Sequence, residues 1–110
     1  MTPRILLFLV LLCLPEVSWA NPAHDQVQKM SSTERNTFFT KFLRGSGESC
    51  DQVTRNFLQG VVKSGTAVWH VACRNGKAYA INIYNDAQGS TKILDCQILK
   101  AVKAGECFKK

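Results

Sequence analysis

The stretch Ala67-Val68-Trp69-His70-Val71-Ala72-Cys73-Arg74-Asn75-Gly76-Lys77-Ala78-Tyr79-Ala80-Ile81-Asn82-Ile83 decides the fold. Ala67, Trp69, Val71 and Cys73 alternate with Val68, His70 and Ala72, the period of a strand. Arg74-Asn75-Gly76-Lys77 is a hairpin signal, and a second strand returns from it. Two registers compete. A two-residue loop at Asn75-Gly76 pairs Cys73 with Ala78 and sets Trp69 opposite Asn82. A three-residue loop with Gly76 in the left-handed region pairs Cys73 with Lys77. It then sets Val71 against Tyr79, Trp69 against Ile81 and Ala67 against Ile83. Slipping by one residue moves every side chain to the other face. The second register gathers one apolar face, so the bulged three-residue turn is preferred. Trp69 is then a core residue beside Ile81 and Phe57, and His70 points to the opposite, exposed face.

Beyond the hairpin, Asn85-Asp86-Ala87-Gln88-Gly89 is a turn and Ser90 to Asp95 a third strand. Asp95 caps a short final helix in which Ile98, Ala101 and Val102 share a face and Gly105 marks the end. Before the hairpin, Ser49 and Gln52 offer a helix start, and Cys50, Val53 and Phe57 fall at helical spacing up to Gly60. Earlier still, Ser31 and Glu34 form a capping box. Phe38, Phe39, Phe42 and Leu43 follow at helical spacing, and Gly45 closes that helix. The expected fold is α+β: two N-terminal helices (31–45 and 49–60), a three-stranded antiparallel sheet and a short C-terminal helix, with the helices against one sheet face.

Residues 1–20 read as a signal peptide. Arg4 gives a positive start, Ile5 to Leu14 an apolar run too short to span a bilayer, and Ser18-Trp19-Ala20 a cleavage site after Ala20. A lipoprotein site at Cys13 competes, but it needs a small residue before the cysteine, and Leu12 is not small. Residues 21–30 are polar and read as a flexible leader. Residues 49–110 then form a disulfide-stapled domain.

The chain has five cysteines, 14 basic and 8 acidic residues, for a net charge of +6. Loss of residues 1–20 removes Cys13, Arg4 and Glu16, so the charge stays at +6. Cys50, Cys73, Cys96 and Cys107 remain, an even count that reads as two disulfides in an exported small domain. Four cysteines allow three connectivities. The second helix runs away and the first strand returns, which brings Cys73 back to the level of Cys50; Cys96 and Cys107 flank the last helix. Cys50–Cys73 and Cys96–Cys107 are therefore favoured. Cys73 and Cys96 would be kept about 10 Å apart by the strand between them, beyond disulfide reach.

The residues 67–76 quoted above, with Tyr79, Gly89-Ser90-Thr91 and Leu94-Asp95-Cys96, resemble a group of small exported bacterial proteins of unassigned function with a four-cysteine α+β domain. The resemblance covers residues 49–108 and implies no catalytic residue. The order of a helix followed by three strands is also similar to PepSY-type domains, modules proposed to inhibit secreted proteases. That likeness is topological, and topology does not establish function.

Catalytic and metal motifs are missing from the sequence. No C-x-x-C, phosphate-binding glycine loop, G-x-S-x-G elbow or paired-carboxylate motif occurs. No cofactor is implied. A small cationic hydrolase would use histidines as acid and base, but His24 lies in the leader and His70 on an exposed strand face. The basic residues are spread along the chain, and the aromatics do not interleave with them as a stacking platform for nucleic acid requires. Specific nucleic-acid binding is not expected. Phe38, Phe39, Phe42 and Leu43 either pack on the sheet or form an exposed partner-binding patch. The expectation is a non-catalytic periplasmic or secreted binding or accessory module for an envelope or secreted protein. An inhibitor is the sharper version, and a cationic hydrolase or an electrostatic binder of anionic envelope components the alternatives.

Overall fold

In the computed structural model the described residues are 21–109. The expected signal peptide and the competing site at Cys13 lie outside them. The elements run α1 (Pro22–Lys29), α2 (Ser32–Gly45), β1 (Val53–Val61), β2 (Ala67–Cys73), β3 (Ala78–Ile83), β4 (Thr91–Asp95) and α3 (Cys96–Ala101). The four strands form an antiparallel meander in the order β1-β2-β3-β4. The fold is α+β with two disulfides, and the sheet has four strands rather than the expected three.

The central hairpin takes the bulged register. Ala67 faces Ile83, Trp69 faces Ile81 and Val71 faces Tyr79. The Cys73 N–H donates to the Lys77 carbonyl (2.8 Å), and Gly76 sits at φ +95°, a conformation that side chains disfavour. The third expected strand is β4, and Asp95 caps α3 by accepting from the Gln97 N–H (2.8 Å). Ser31 and Glu34 form the expected reciprocal capping box at the start of α2.

Residues 49–60 do not form a helix. They hold β1, with register shifts between Val53 and Arg55 and between Leu58 and Gly60. The first bulge leaves Val53 and Asn56, three residues apart, on one face. Phe57 turns to the other face, so the Cys50, Val53 and Phe57 spacing that reads as one helical face is split between the two sheet faces. The leader is not flexible either. Pro22 to Lys29 is a helix whose N-cap Asn21 accepts from the His24 N–H (3.2 Å). The Asn21 amide also donates to the carbonyls of Gly65 and Ile83 (both 3.0 Å), which ties the helix start to the sheet.

The helices cover both sheet faces, not one. On the first face, Val27 of α1 and Phe39 and Leu43 of α2 bury Val53, Ala67, Trp69, Val71, Tyr79, Ile81 and Ile83. At about 25 cal/mol per Å², complete burial of Phe39 or Leu43 contributes roughly 1.5–3 kcal/mol each. On the second face, α3 and the tail after it lie over Val68, His70, Ala80 and Asn82 of β2 and β3. Phe57 belongs to this second face. It pairs with His70 and is not a neighbour of Trp69 in the core, because the bulges in β1 set its phase.

The disulfides join Cys50 to Cys73 and Cys96 to Cys107, with Cα atoms 5.6 and 5.9 Å apart. The first is buried behind the start of β1; the second fixes the tail to α3. Such bonds persist in oxidising compartments. Among the described residues no helix is long and apolar enough to cross a membrane.

Candidate functional site

Each sheet face carries a cleft. The first lies between α1, α2 and the β3–β4 side of the sheet. It has a volume of about 170 Å³ and is lined mainly by Ala23, Val27, Phe38, Phe39, Phe42, Ile81, Ile83 and Thr91. The helical period divides the aromatic stripe. Phe39 and Leu43 face inward and are fully buried, so they are core and not a contact surface. Phe38 is 37 % exposed and Phe42 half-buried, with their rings stacked 6.4 Å apart at the cleft rim. Lys41, one turn from Phe38, shares an open groove with it. Of the four residues expected to meet a partner, two hold the fold and two remain on the surface.

Trp69 forms the back of this side. Its indole N–H donates to His24 Nδ1 (3.1 Å), and the Arg35 guanidinium lies 5.2 Å from its ring centre. Arg35 also donates to the carbonyls of Val27 (3.4 Å), Gln28 (3.3 Å) and Met30 (2.7 Å) and to Asn56 Oδ1 (3.0 Å). One side chain therefore closes the end of α1 and ties it to β1. His24 is buried and held neutral. Burial lowers its pKa, opposed in part by Asp25.

The second cleft, about 320 Å³, lies under the C-terminal segment. Gln59, His70, Asn82 and Glu106 supply its polar lining, with Val68, Ala80, Leu94 and Leu99 among the apolar residues. His70 is not exposed. It is 6 % accessible because Phe108 folds over it, the ring centres 5.7 Å apart, with Phe57 alongside. Its Nδ1 accepts from the Phe108 backbone N–H (2.8 Å), and burial lowers its pKa. The neutral ring then carries its proton on Nε2. The Arg55 guanidinium sits 4.0 Å over the Phe108 ring, and the Gln59 amide donates to the Lys109 carbonyl (2.8 Å).

This cleft is poorly arranged for acid–base chemistry. The basic lone pair of His70 is already used by a backbone donor. Glu106 is exposed and paired with Lys109 at 3.2 Å. A general base needs a free acceptor within hydrogen-bond reach of the proton it removes. The four cysteines of the described chain are consumed in disulfides, which leaves no thiolate as nucleophile or metal ligand. Among the described residues no three of the His, Cys, Asp and Glu side chains come together as metal donors.

Sequence reasoning missed α1 and its His24–Trp69 contact. Asn21 followed by Pro22 is a helix-start signal that was there to be read. It missed the burial of His70, for which no local signal exists, because the covering residue is 38 positions away.

Compared with known proteins, the chain matches no family model, no curated protein and no solved structure.

Proposed function

We propose that the chain is exported, processed after Ala20, and acts without catalysis as a binding module for a protein of the cell envelope or the external medium. The observation that carries this reading is the apolar cleft rimmed by the stacked Phe38 and Phe42. Half-exposed aromatic pairs beside an apolar recess are the usual anchor sites of protein partners. The rigid floor supports the same reading. The Cys50–Cys73 disulfide, behind the start of β1, and the buried Trp69–His24 pair brace this side of the sheet, so little ordering cost attends binding.

An inhibitor of a secreted enzyme is the sharper form of the proposal and rests on the sequence resemblance alone. A purely electrostatic role is the second reading. It is favoured by a net charge of +6, and among the described residues three basic side chains, in Arg74–Asp51, Lys77–Asp95 and Lys109–Glu106, are held in ion pairs.

The test immobilises the exported, oxidised protein and its Phe38→Asp variant and exposes both to envelope extract of the source organism. A salt gradient follows. The expected result is a protein held by the wild type past about 0.5 M salt, where exposed charges are largely screened, and not held by Phe38→Asp. If both forms release the same acidic material at low salt, the cleft has no role and the charge alone accounts for binding.

A further inference from the structure

The two edges of the sheet are built differently. The β1 edge is blunted. Two bulges break its register, and α2 is bonded to it: Thr40 Oγ1 accepts from the Val53 N–H (2.8 Å), and the Asn56 amide donates to Asn36 Oδ1 (2.7 Å). Natural sheets protect edges in these ways. The β4 edge has neither device. Its pairing with β3 runs without interruption from Thr91 to Asp95.

The phase of that pairing is fixed. The Tyr84 N–H donates to the Ser90 carbonyl (2.8 Å) while the Ser90 N–H turns to Asp86 Oδ1 (2.9 Å), which sets Tyr84 and Ser90 in the phase of a hydrogen-bonded pair. Antiparallel pairs alternate, so Lys92 and Leu94 also bond to β3, while Thr91 and Ile93 turn their N–H and C=O groups outward. Among the described residues, no turn, loop or side-chain hydrogen bond reaches the outward backbone of Thr91 or Ile93. Their side chains are on the cleft face. Thr91 lines the cleft, and Ile93 packs against the core. Two residues of the cleft face therefore offer main-chain bonds outward, and one of them, Thr91, borders the apolar recess.

We infer that β4 accepts an extended segment of an acidic protein partner as a fifth strand, whose alternate apolar side chains enter the Phe38–Phe42 cleft. The inference rests on the binding-module reading and names the partner's chemistry at that site. Strand addition draws affinity from the backbone and selectivity from pockets for alternate side chains. The sign of the partner follows from charge. Lys92 is exposed on β4 and Asp95 is neutralised by Lys77 at 2.8 Å; Lys41 beside Phe38 shares its groove with Glu34, so the sign rests on Lys92 and on the net charge of +6. A second copy would bring +6 against +6. That repulsion argues against self-pairing and for acidic residues between the apolar ones.

The probes are short synthetic peptides alternating Val or Phe with Asp or Glu, and the same peptides with Lys in the acidic positions. Binding to the exported, oxidised protein is read by fluorescence anisotropy and amide exchange. Acidic peptides are expected to bind, to protect the Ile93 amide from exchange, and to exceed the Lys peptides. Ile93→Pro removes an N–H that β3 does not use, so the sheet stays intact. It should cost about tenfold in affinity relative to Ile93→Ala, the equivalent of roughly one main-chain hydrogen bond. The inference is overturned if no acidic peptide binds, if the Pro and Ala variants bind alike, or if β4 instead supports a dimer abolished by Ile93→Pro. A partner protein that depends on Phe38 but tolerates Ile93→Pro would overturn strand pairing and leave the module reading standing.

Discussion

The two faces of the sheet are held by opposite means. The first is covered by α1 and α2, which meet it with long apolar side chains, and Phe39, Leu43, Val71 and Ile81 are fully buried there. The second is covered by α3 and the tail, which share clefts with Ala78 and Ala80; α3 has no buried residue at all. Its cover is kept in place by the Cys96–Cys107 bond, the Phe108–His70 hydrogen bond and the Arg55–Phe108 contact. One face is therefore maintained by area removed from water, which is non-directional, and the other by a small number of directional ties.

The comparison breaks most sharply at the aromatic residue of each cover. Phe39→Ala should cost about 3–5 kcal/mol, whereas Phe108→Ala, half-exposed, should cost roughly half as much. Denaturant midpoints with an unchanged m-value would measure both. Equal losses would show that the second face has a core of its own. Next in size is removal of one tie. Cys96→Ser with Cys107→Ser should cost about 2–3 kcal/mol for so short a loop and leave the first face folded. The His70 ring signal in NMR should then titrate closer to about 6.5, as the tail no longer covers it. A global collapse instead would mean that the two faces are one cooperative unit.

The smallest effect is the dependence on pH. His24 and His70 both have pKa values lowered by burial, so the unfolded chain binds more protons than the folded one. Stability is full above about 6.5 and declines as pH falls below that value toward the lowered folded pKa. Protonation also costs each ring its Nδ1 acceptor, toward Trp69 on one face and Phe108 on the other. His70→Gln should flatten the decline only in part, leaving the share due to His24. Asp95 contributes in a separate window. Its carboxylate is held low by the Lys77 hydrogen bond, against some burial, so that stability fades only as pH drops below the usual carboxylate range.

The hairpin register and both disulfides were legible because each depends on contacts close in sequence or on the return of one strand. The Trp69–Ile81 pairing needs only the alternation around Asn75-Gly76, and Cys73 follows from it. β1 was illegible because bulges shift its phase: Cys50, Val53 and Phe57 read as one helical face, yet Val53 and Phe57 lie on opposite faces of the sheet. The site was half legible. The Phe38–Leu43 stripe marks the helix, but nothing local says that Phe39 and Leu43 turn inward while Phe38 and Phe42 stay at the rim. The open edge of β4 is a property of strand order, which no window of sequence contains.

Trp69 has a further consequence, for optics. The sequence holds two tryptophans, and the other, Trp19, belongs to the segment read as removed on export. Trp69 would then be the sole indole chromophore, with His24, Arg35 and Phe39 as its neighbours. Its emission reports directly on whether α1 is seated: blue-shifted with the helix in place, red-shifted when water reaches the ring. The protein carries its own dye at the junction of helix and sheet, and the docking of α1 can be followed in real time without any label.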